Sequence, residues 1–438
     1  MAREVDFTAL GRELGEVAEV NALEGGEGAR WTVHWASPRL VCAPQTPEDV
    51  GRALAVCDSA GAAVIPWGGG TQQRLGSPPR RADVVLLMTQ LGKLVEYEPA
   101  DLTVTVEAGM SLVDLQFALG RQGQWLPLDP PVPPEATIGG LLATNASGPR
   151  RLKEGGPRDL VIGTRVANCD GAVTRAGGRV VKNVSGYDLN KLHVGALGTL
   201  GVLVEATLKV APRPETERTW LGVFPTAEAA GSAAASLLRR PLAPTGLEIV
   251  NGRVAESLGL FIPAGRWALL GRASGFAPAV ARHLAEYAAA ARAAKAGADE
   301  ELPEEQGPSV WSAYRDLAAR LRWTDEVLTC RLAVPPGVAG PLCDRLAAVG
   351  AEPAVWAHAT GNVFWSVPAT TADAEVVRRP RGLAAKAGGR LVVANGPPAL
   401  AGIDVWGEPA GPLAAMRRLK AAYDPRGTLN PGRFVGGI

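Results

Sequence analysis

The first half of the chain alternates short apolar runs with amphipathic stretches, a pattern that predicts alternating strands and helices. Thr46, Pro47 and Gly61 are typical of the start, first turn and end of a helix, so a helix is predicted between them. The run AAVIPW that follows predicts a buried strand. Further strands are predicted over DVVLLM and LTVTVEAG, a second capped helix over 111–123, and a hairpin that turns at Asp170-Gly171.

The second half has a different pattern of predicted elements, which begins after a polar, proline-containing segment at 213–219. Two rounds of strands and helices follow, and the second round starts at EVLTCRLAVP and ends at GRLVVAN. This repetition predicts one mostly antiparallel sheet with helices on one face. The predicted fold class is therefore α+β, and we place the domain limits at 1–39, 40–215, 216–405 and 406–438.

Charge and cysteine content exclude several classes of function. The chain has 45 basic and 44 acidic side chains and a net charge of +1, so no basic surplus favours nucleic acid. The five cysteines are scattered and form no CxxC pair, which predicts a reducing compartment and no iron–sulfur or zinc site on this chain. The charged N-terminus lacks the apolar core of a signal peptide, and no long apolar run predicts a membrane span. We expect a cytoplasmic protein.

Three consecutive glycines, 68–70, follow the predicted strand AAVIPW directly. Glycine tolerates positive φ, so a tight turn explains them without any ligand. A row of backbone amides without side chains is also suited to bind phosphate groups. The pattern is neither a Walker loop nor GxGxxG, so it does not indicate a P-loop or a Rossmann site. On these residues alone both interpretations stay open.

Three other segments accompany the glycine loop. The first, LDPPVPPEATIGGLLATNASG, places Gly139-Gly140 and several small residues where a flat or phosphorylated ligand can approach closely. The second, VKNVSGYDLNKLHVGALGTLGVLVEATLKV, repeats glycine every three residues from 195 to 201 before a predicted strand. The third is the turn-rich C-terminal stretch YDPRGTLNPGR. A packing role explains each of them nearly as well as a ligand does.

Taken in order, the four segments resemble the FAD-binding domain shared by p-cresol methylhydroxylase, vanillyl-alcohol oxidase and the D-lactate dehydrogenases. Gly-Pro-Arg-Arg at 148–151 and Lys-Asn-Val-Ser-Gly-Tyr-Asp at 182–188 are similar to the smaller, FAD-binding subunits of glycolate oxidases. The resemblance implies an FAD-binding domain over 40–215 and a cap domain over 216–405. It also implies that the segment 406–438 returns to the flavin.

The resemblance also implies which residues contact FAD. The glycine loop would hold the pyrophosphate with its amides, while the other segments would line the ribityl chain and flavin or form the floor beneath them. The loop has Thr71 and Gln72 where some relatives carry a histidine linked to flavin, so we expect non-covalent FAD. The implied cofactor-binding residues are Trp67, Gly68, Gly69, Gly70, Thr71, Gln72, Thr137, Gly139, Gly140, Asn145, Gly148, Gly195, Gly198, Thr199, Gly201, Val202 and Asn430.

Catalytically competent relatives carry a GDGNxH-like segment and a Glu-His-Gly motif that bind a metal or the substrate carboxylate. In this chain WAHATGNVFWSV keeps His358 but has Phe364-Trp365 where the second histidine belongs, and Ala394-Asn395-Gly396 replaces Glu-His-Gly. A lone histidine cannot organise a metal, so we assign no metal site and no catalytic residue, and interpret His358 as structural.

Three arginines, Arg150, Arg151 and Arg433, are the remaining candidates for a carboxylate clamp. We expect them instead to pair with FAD phosphates, with acidic neighbours or with a partner chain.

These features predict an FAD-binding subunit of a glycolate oxidase-type complex that oxidises a 2-hydroxy acid to a 2-oxo acid. Its FAD would relay electrons or stabilise the fold, and the substrate site would lie on a partner. The implied partners are a larger FAD-containing subunit and an iron–sulfur subunit, and only through them would the chain attach to the inner face of a membrane. Two alternatives stay open: a self-sufficient FAD-dependent 2-hydroxy acid dehydrogenase, and a non-catalytic assembly subunit.

Overall fold

The computed structural model describes residues 5–23, 25–178, 187–371, 375–397, 402–408 and 411–438. The chain begins with a four-stranded mixed sheet in the order β1-β2-β4-β3, in which β2, β4 and β3 run parallel and β1 pairs antiparallel with β2 at one edge. Thr46 Oγ1 accepts a hydrogen bond from the Asp49 amide and Gly61 ends the helix in the left-handed region, which confirms the predicted helix α2. The elements of this part are α1 (Phe7–Gly15), β1 (Glu19–Ala22), β2 (Leu40–Ala43), α2 (Pro47–Ala60), β3 (Val64–Trp67) and β4 (Val84–Leu87).

A five-stranded antiparallel sheet follows, in the strand order β5-β6-β10-β8-β9. The predicted hairpin at Asp170-Gly171 is confirmed as the turn between β8 and β9, where Gly171 has φ +90°. The elements are β5 (Leu94–Glu98), β6 (Thr103–Glu107), α3 (Leu112–Gly120), β7 (Gln124–Trp125), α4 (Ile138–Thr144), α5 (Arg151–Glu154), α6 (Pro157–Leu160), β8 (Val161–Ala167), β9 (Val173–Gly177), β10 (Val202–Lys209) and β11 (Ala211–Pro212).

The rest of the chain builds an eight-stranded sheet in the order β15-β12-β14-β13-β17-β18-β16-β19, in which every neighbouring pair is antiparallel. The predicted α+β class is therefore confirmed. The elements are β12 (Thr216–Phe224), α7 (Ala227–Leu238), β13 (Gly246–Asn251), α8 (Gly252–Ser257), β14 (Trp267–Gly275), α9 (Ala277–Ala293), β15 (Ala298–Glu301), α10 (Gln306–Trp323), β16 (Val327–Ala333), α11 (Ala339–Leu346), β17 (Ala354–His358), β18 (Asn362–Pro368), α12 (Arg378–Lys386), β19 (Arg390–Asn395) and α13 (Leu413–Tyr423).

Helices cover both faces of this large sheet, so the prediction of helices on one face was wrong. Successive strand residues such as Trp220 and Leu221 point to opposite faces, and both are buried. Helices α7, α9 and α11 pack on the Trp220 face. Helices α8 and α10 pack on the other face, where α10 contributes Trp311 and Tyr314. Burial on both faces explains why the strands are almost continuously apolar.

The C-terminal tail returns to the first sheet. After α13, Leu429 forms a parallel bridge with Val64 of β3, and the Asn430 amide donates to the Val64 carbonyl at 3.0 Å. Lys420 and Asp424 form an ion pair at 2.5 Å, and the Asp424 carboxylate also accepts the amide of Leu429. The tail thus lies beside the end of β3, where the glycine loop begins. No helix in the described part of the chain combines the length and apolar character that crossing a bilayer requires.

Candidate functional site

A cavity opens at the carboxyl end of β3. Four chain segments converge on it: the glycine loop, the start of α4, the loop before β10, and the C-terminal tail. The cavity residues are Pro66, Trp67, Gly68, Gly69, Gly70, Thr71, Gln72, Gln73, Met88, Ala108, Thr137, Gly139, Gly140, Ala143, Thr144, His193, Leu197, Gly198, Gly201, Val202, Leu203, Asn430 and Arg433.

The glycine loop packs tightly against the segment before α4. A Cβ on Gly68 would lie 2.2 Å from Thr137 Oγ1, and one on Gly69 would lie 1.9 Å from the Glu135 carbonyl oxygen. Gly70 has φ +72°, and a Cβ there would meet the Trp67 ring at 2.7 Å. Side chains at 68 and 69 would therefore strike protein before any ligand, so packing requires these two glycines.

The same packing leaves the backbone of the loop available to a ligand. Among the residues that the structure describes, the amides of Gly68, Gly69 and Gly70 donate no hydrogen bond to the protein. Backbone amides need a partner when solvent is excluded, and successive free amides are suited to an anionic group. The packing and phosphate interpretations of the loop are thus compatible.

Close packing also sets the wall and floor of the cavity. A Cβ on Gly139 would lie 2.9 Å from Ala108 Cβ, which lets α4 pack directly on the end of β6. A Cβ on Gly201 would lie 2.5 Å from Val166. Gly198 has φ +66°, a left-handed conformation that glycine adopts without strain. Asn430 Nδ2 donates to the Leu197 carbonyl at 2.6 Å and fixes the tail against this floor.

Several polar atoms of the cavity wall are buried without a partner in the described chain. They are Nε2 of Gln72, Nδ1 of His193, Oδ1 of Asn430 and Nε of Arg433. Buried polar groups without hydrogen bonds cost free energy, so this wall is suited to a polar ligand. Their arrangement fits a dinucleotide, which offers phosphate oxygens and the polar edge of a ring system.

Burial controls the charge of two of these groups. It lowers the pKa of His193 to about 4. It lowers the pKa of Arg433 to about 10, so this guanidinium stays charged at neutral pH. Arg433 Nη2 donates to the carbonyls of Gln73 and Leu75 at 2.7 and 2.5 Å, which binds the tail to the glycine loop. We expected Arg433 to pair with phosphates, acids or a partner chain; within the described chain its partners are carbonyls and the Gln73 side chain.

Most of the residues named from sequence line this cavity, and four do not. Asn145 caps the end of α4 in the left-handed conformation and lines a second cavity. Gly148 packs on Asp129, whose carbonyl oxygen would lie 2.0 Å from a Cβ. Gly195 and Thr199 lie on a separate surface groove. Residues 182–186 of the segment that carried the resemblance fall outside the described residues.

A second cavity adjoins the first, because Gln72 and Thr144 line both. It lies between the α4 region and the eight-stranded sheet. The remaining residues that line it are Arg74, Leu75, Asn145, Ala146, Ser147 and Arg151 from the first half of the chain, and Arg331, His358, Asn362, Phe364, Val392 and Ala394 from the second.

Arginines dominate the charge of this second cavity. Arg74 forms an ion pair with Asp325. Arg151 Nη1 donates to Ser147 Oγ at 2.8 Å and, within the described residues, has no acidic partner. An acidic neighbour, one of the three partners that we expected for these arginines, is therefore absent for Arg151 among the described residues, and its pairing with FAD phosphates or a partner chain stays a prediction. Arg150 has such an acidic neighbour, since it forms an ion pair with Glu217 at 2.7 Å.

His358 is held in place by a buried carboxylate. Its Nδ1 lies 2.7 Å from Glu248 Oε2, and the same carboxylate accepts the Tyr314 hydroxyl. This contact fixes the His358 ring, and the ring also lines the second cavity. The structural role of His358 stays a prediction.

At the positions where the resemblance implies metal- or substrate-binding histidines, this chain has side chains that make structural contacts. Asn395 Nδ2 donates to the Thr324 carbonyl at 2.7 Å, and Trp365 Nε1 donates to the Val349 carbonyl at 3.1 Å. Phe364 stacks on Trp356.

Two family models match parts of the chain. Residues 38–177 match the family described as FAD binding domain, and residues 213–364 with 407–434 match the C-terminal domain of FAD linked oxidases. Among solved structures, 4-ethylphenol oxidase from Gulosibacter chungangensis aligns with a TM-score of 0.73 over 98% of this chain and 96% of that one, at 17% identity. p-Cresol methylhydroxylase aligns with a TM-score of 0.72 at 15% identity. These likenesses confirm the predicted p-cresol methylhydroxylase-type fold.

Among curated relatives, glycolate oxidase subunit GlcD of Bacillus subtilis (strain 168) is 28% identical over 419 residues, which cover 91% of this chain and 89% of that one. Glycolate oxidase subunit GlcE of Escherichia coli (strain K12) is 48% identical over 122 residues, or 28% of this chain and 35% of the relative. D-2-hydroxyglutarate dehydrogenase of Xanthomonas citri pv. viticola is 34% identical over 200 residues, 45% of this chain and 42% of that one. The last two matches span less than half of the relatives' own length.

Proposed function

We propose that this chain, an FAD-linked oxidoreductase with an FAD binding domain and an FAD linked oxidase C-terminal domain, serves as a flavin-carrying subunit of a glycolate oxidase-type complex. The complex oxidises a 2-hydroxy acid to a 2-oxo acid. When bound, FAD supplies the electron-accepting chemistry of this reaction. The chain itself positions the cofactor, and the larger flavin subunit and the iron–sulfur subunit are the partners that we propose.

One observation carries the cofactor assignment: free loop amides and unpartnered buried side-chain atoms converge on a single cavity in the half that matches the FAD binding domain family. In the proposed arrangement the amides of Gly68, Gly69 and Gly70 bind the diphosphate, and charge-assisted hydrogen bonds of this kind contribute about 1.5–3 kcal/mol each. Arg433 adds a buried positive charge beside them. Asn430 and His193 remain for the flavin ring system.

The substrate class is supported by the relatives. GlcD carries glycolate oxidase in its name, and D-2-hydroxyglutarate dehydrogenase names another 2-hydroxy acid. A multi-subunit arrangement is supported by the GlcE match and by the cysteines. All five cysteines are buried and the sequence has no CxxC pair, which favours an iron–sulfur cluster on another chain of the proposed complex.

A second candidate function is favoured by the second cavity. A self-sufficient 2-hydroxy acid dehydrogenase needs a carboxylate site next to the flavin, and Arg331 and His358 line a cavity that adjoins the first one. Under this alternative the chain alone would oxidise the acid.

Co-purification of the untagged natural assembly, with flavin and iron counted per chain, tests the proposal. We expect a stable complex in which this chain carries one FAD and no iron. Isolation of the chain without partners would contradict the subunit assignment. Anaerobic mixing of the isolated yellow chain with glycolate or D-lactate then decides between the two candidates: bleaching of the flavin absorption favours the self-sufficient enzyme, and unchanged absorption favours the subunit.

A further inference from the structure

The surface groove on which Gly195 and Thr199 lie has an apolar wall made by helix α13. Met416, Leu419 and Tyr423 line the groove, and their spacing places them on one face of the helix. No residue of α13 is fully buried, so the described part of the chain leaves this apolar helix face partly uncovered. An amphipathic helix ordinarily buries such a face against another element.

Large apolar side chains of the surface groove are exposed to solvent. Tyr187 is 92% exposed, Leu189 is 46% exposed and Leu419 is 39% exposed. Single exposed apolar residues are ordinary on a protein surface, but these three line the same groove. A continuous apolar surface of this kind is typical of a contact with another protein chain.

The charge around the surface groove is positive. Arg417 and Arg418 are exposed on α13, which contains no acidic residue. Arg158 lines the groove, where it donates to the Lys191 carbonyl at 2.7 Å and has no acidic partner among the described residues. Asp188 is the one acid that lines the groove within the described chain, and it lies 3.9 Å from Lys191 Nζ. An occupant with acidic residues therefore complements this surface.

The same charges argue against a second copy of the chain as the occupant. A symmetric contact through the surface groove would place the same patch of both copies together. The arginines of one α13 would then lie near those of the other, and like charges brought together at an interface are unfavourable. The groove is better suited to a different chain.

One chain segment, 192–201, separates the surface groove from the first cavity. Leu192 lines the groove, and its neighbour His193 lines the cavity. The His193 ring also contacts Tyr423 of the groove wall edge-on, with 5.9 Å between the ring centroids. A chain that occupies the groove is therefore separated by a single layer of residues from the cavity assigned to FAD.

We propose that the surface groove is the docking surface for the iron–sulfur subunit, which contacts it through apolar and acidic residues. The inference rests on the proposed function, because that function supplies the partner. The position beside the first cavity favours the electron acceptor of the complex as the occupant. The partner's oxidised clusters would accept the two electrons of the reduced flavin one at a time, and the accompanying protons would be released to water.

The test is capture of the assembly from the natural host, with iron and flavin counted per chain. The affinity tag is placed at the N-terminus, because Ile438 lines the groove. Two variants probe the surface: Leu419→Glu places a negative charge on the apolar wall, and Arg418→Glu reverses a charge beside it.

The control variants change residues of the same kind elsewhere on the surface. Phe261→Glu is the control for Leu419→Glu, because Phe261 is 93% exposed in the loop between α8 and β14. Arg378→Glu is the control for Arg418→Glu, because Arg378 is exposed on α12 and pairs with Glu375. Neither control residue lines the surface groove.

Photo-crosslinking identifies the occupant directly. The crosslinking residue p-benzoylphenylalanine replaces Leu419 in the tagged chain, and the assembly is irradiated before capture. Mass spectrometry of the crosslinked peptides then shows which chain occupies the groove. We expect a crosslink to the chain that carries the iron–sulfur clusters.

We expect the wild-type assembly to contain iron, with about tenfold less iron per flavin for Leu419→Glu and a smaller loss for Arg418→Glu. Both controls should retain the wild-type amount. Flavin bound to this chain should not change, because neither position lines the first cavity. If Leu419→Glu also loses flavin, Arg418→Glu and the crosslink decide.

Wild-type iron content in both groove variants would overturn the inference. A crosslink from position 419 to a second copy or to the larger flavin subunit, or no crosslink at all, would overturn it as well. A wild-type assembly without iron would instead refute the proposed function, so the two failures give different results.

Discussion

The carbonyl oxygen of Glu135 lies where a Cβ on Gly69 would be, at a distance of only 1.9 Å. The backbone of Glu135 cannot move away without disturbing Thr137, which caps α4. The glycine loop therefore packs closely against the α4 segment, and within the described residues its amides have no protein partner. The close contact with Glu135 distinguishes Gly69 from Gly140, which the sequence alone does not separate.

Gly69→Ala should destabilise the chain itself, by about 3 kcal/mol, because the methyl group overpacks against backbone. Gly140→Ala should leave the unfolding free energy of the flavin-free chain nearly unchanged, since its Cβ meets only Thr137 Oγ1 at 3.3 Å. The Gly140 methyl would instead reduce the space for FAD. Denaturant unfolding of the flavin-free chain and FAD titration together check both expectations. Equal loss of stability in the two variants would show that the Glu135 contact is not decisive.

His193 makes the stability of the chain depend on pH. Burial lowers its pKa to about 4 from the ordinary value of 6.5. Between these two pH values the residue is therefore protonated in the unfolded chain and neutral in the folded chain. Stability is then complete above pH 6.5 and is lost as the pH falls towards 4, by about 3 kcal/mol for this one residue. The His34 side chain is exposed, so it contributes less to this dependence than His193 does.

Unfolding midpoints of the FAD-loaded chain between pH 7 and pH 4.5 measure this effect. His193→Gln should reduce the loss of stability over that range, while His283→Gln on α9, far from the cavity, serves as the control. An identical pH profile for wild type and His193→Gln would mean that His193 is not the group that titrates.

Local sequence signals predicted local structure well. Thr46 and Gly61 mark the ends of α2 because caps act within a few residues, and Asp170-Gly171 sets a hairpin for the same reason. The cavity-lining glycines were accessible from sequence because their segments resemble a known family. His193 and Arg433 lie inside the same segments. His193 was not named as a cofactor-binding residue, and for Arg433 FAD phosphates were one of three expected partners.

The features that sequence reasoning missed depend on long-range pairing. Met88 and Ala108 line the first cavity only because the sheets place two strand ends there. Arg331 reaches the second cavity through the register that pairs it with Phe364 and Val392. No local pattern around Arg331 indicates that register. The sequence analysis did not predict that α10 packs on the second face of the eight-stranded sheet, because local periodicity does not show which face of a sheet a helix will cover.

A buried ion-pair network joins the two halves of the chain, and it predicts a large effect of one substitution. Glu217 forms ion pairs with Arg150 and Arg272, both at 2.7 Å, and Arg272 also contacts Asp129 at 3.2 Å. Glu217→Gln keeps the shape but leaves two buried guanidinium groups without that charge, so we expect a loss of about 3 kcal/mol in thermal or denaturant unfolding.

The matched control for Glu217→Gln is an exposed pair on the same strand. Arg218 contacts Glu301 at 2.6 Å, but both side chains are about one-third exposed. Glu301→Gln should therefore change the unfolding free energy by less than about 1 kcal/mol. Similar losses for the two variants would indicate that the Glu217 network is solvated and contributes little.

The Glu248–His358 contact predicts energetic coupling that a double-mutant cycle can measure. Either single substitution, Glu248→Gln or His358→Gln, alters one side of a buried charged hydrogen bond, so each should cost about 2–3 kcal/mol of stability. The double variant should cost less than the sum, with a coupling of about 1–3 kcal/mol. FAD content should stay at the wild-type level in all three variants, because neither residue lines the first cavity. Additive losses would show that the pair is not a functional unit, and loss of FAD would show that the two cavities are structurally inseparable.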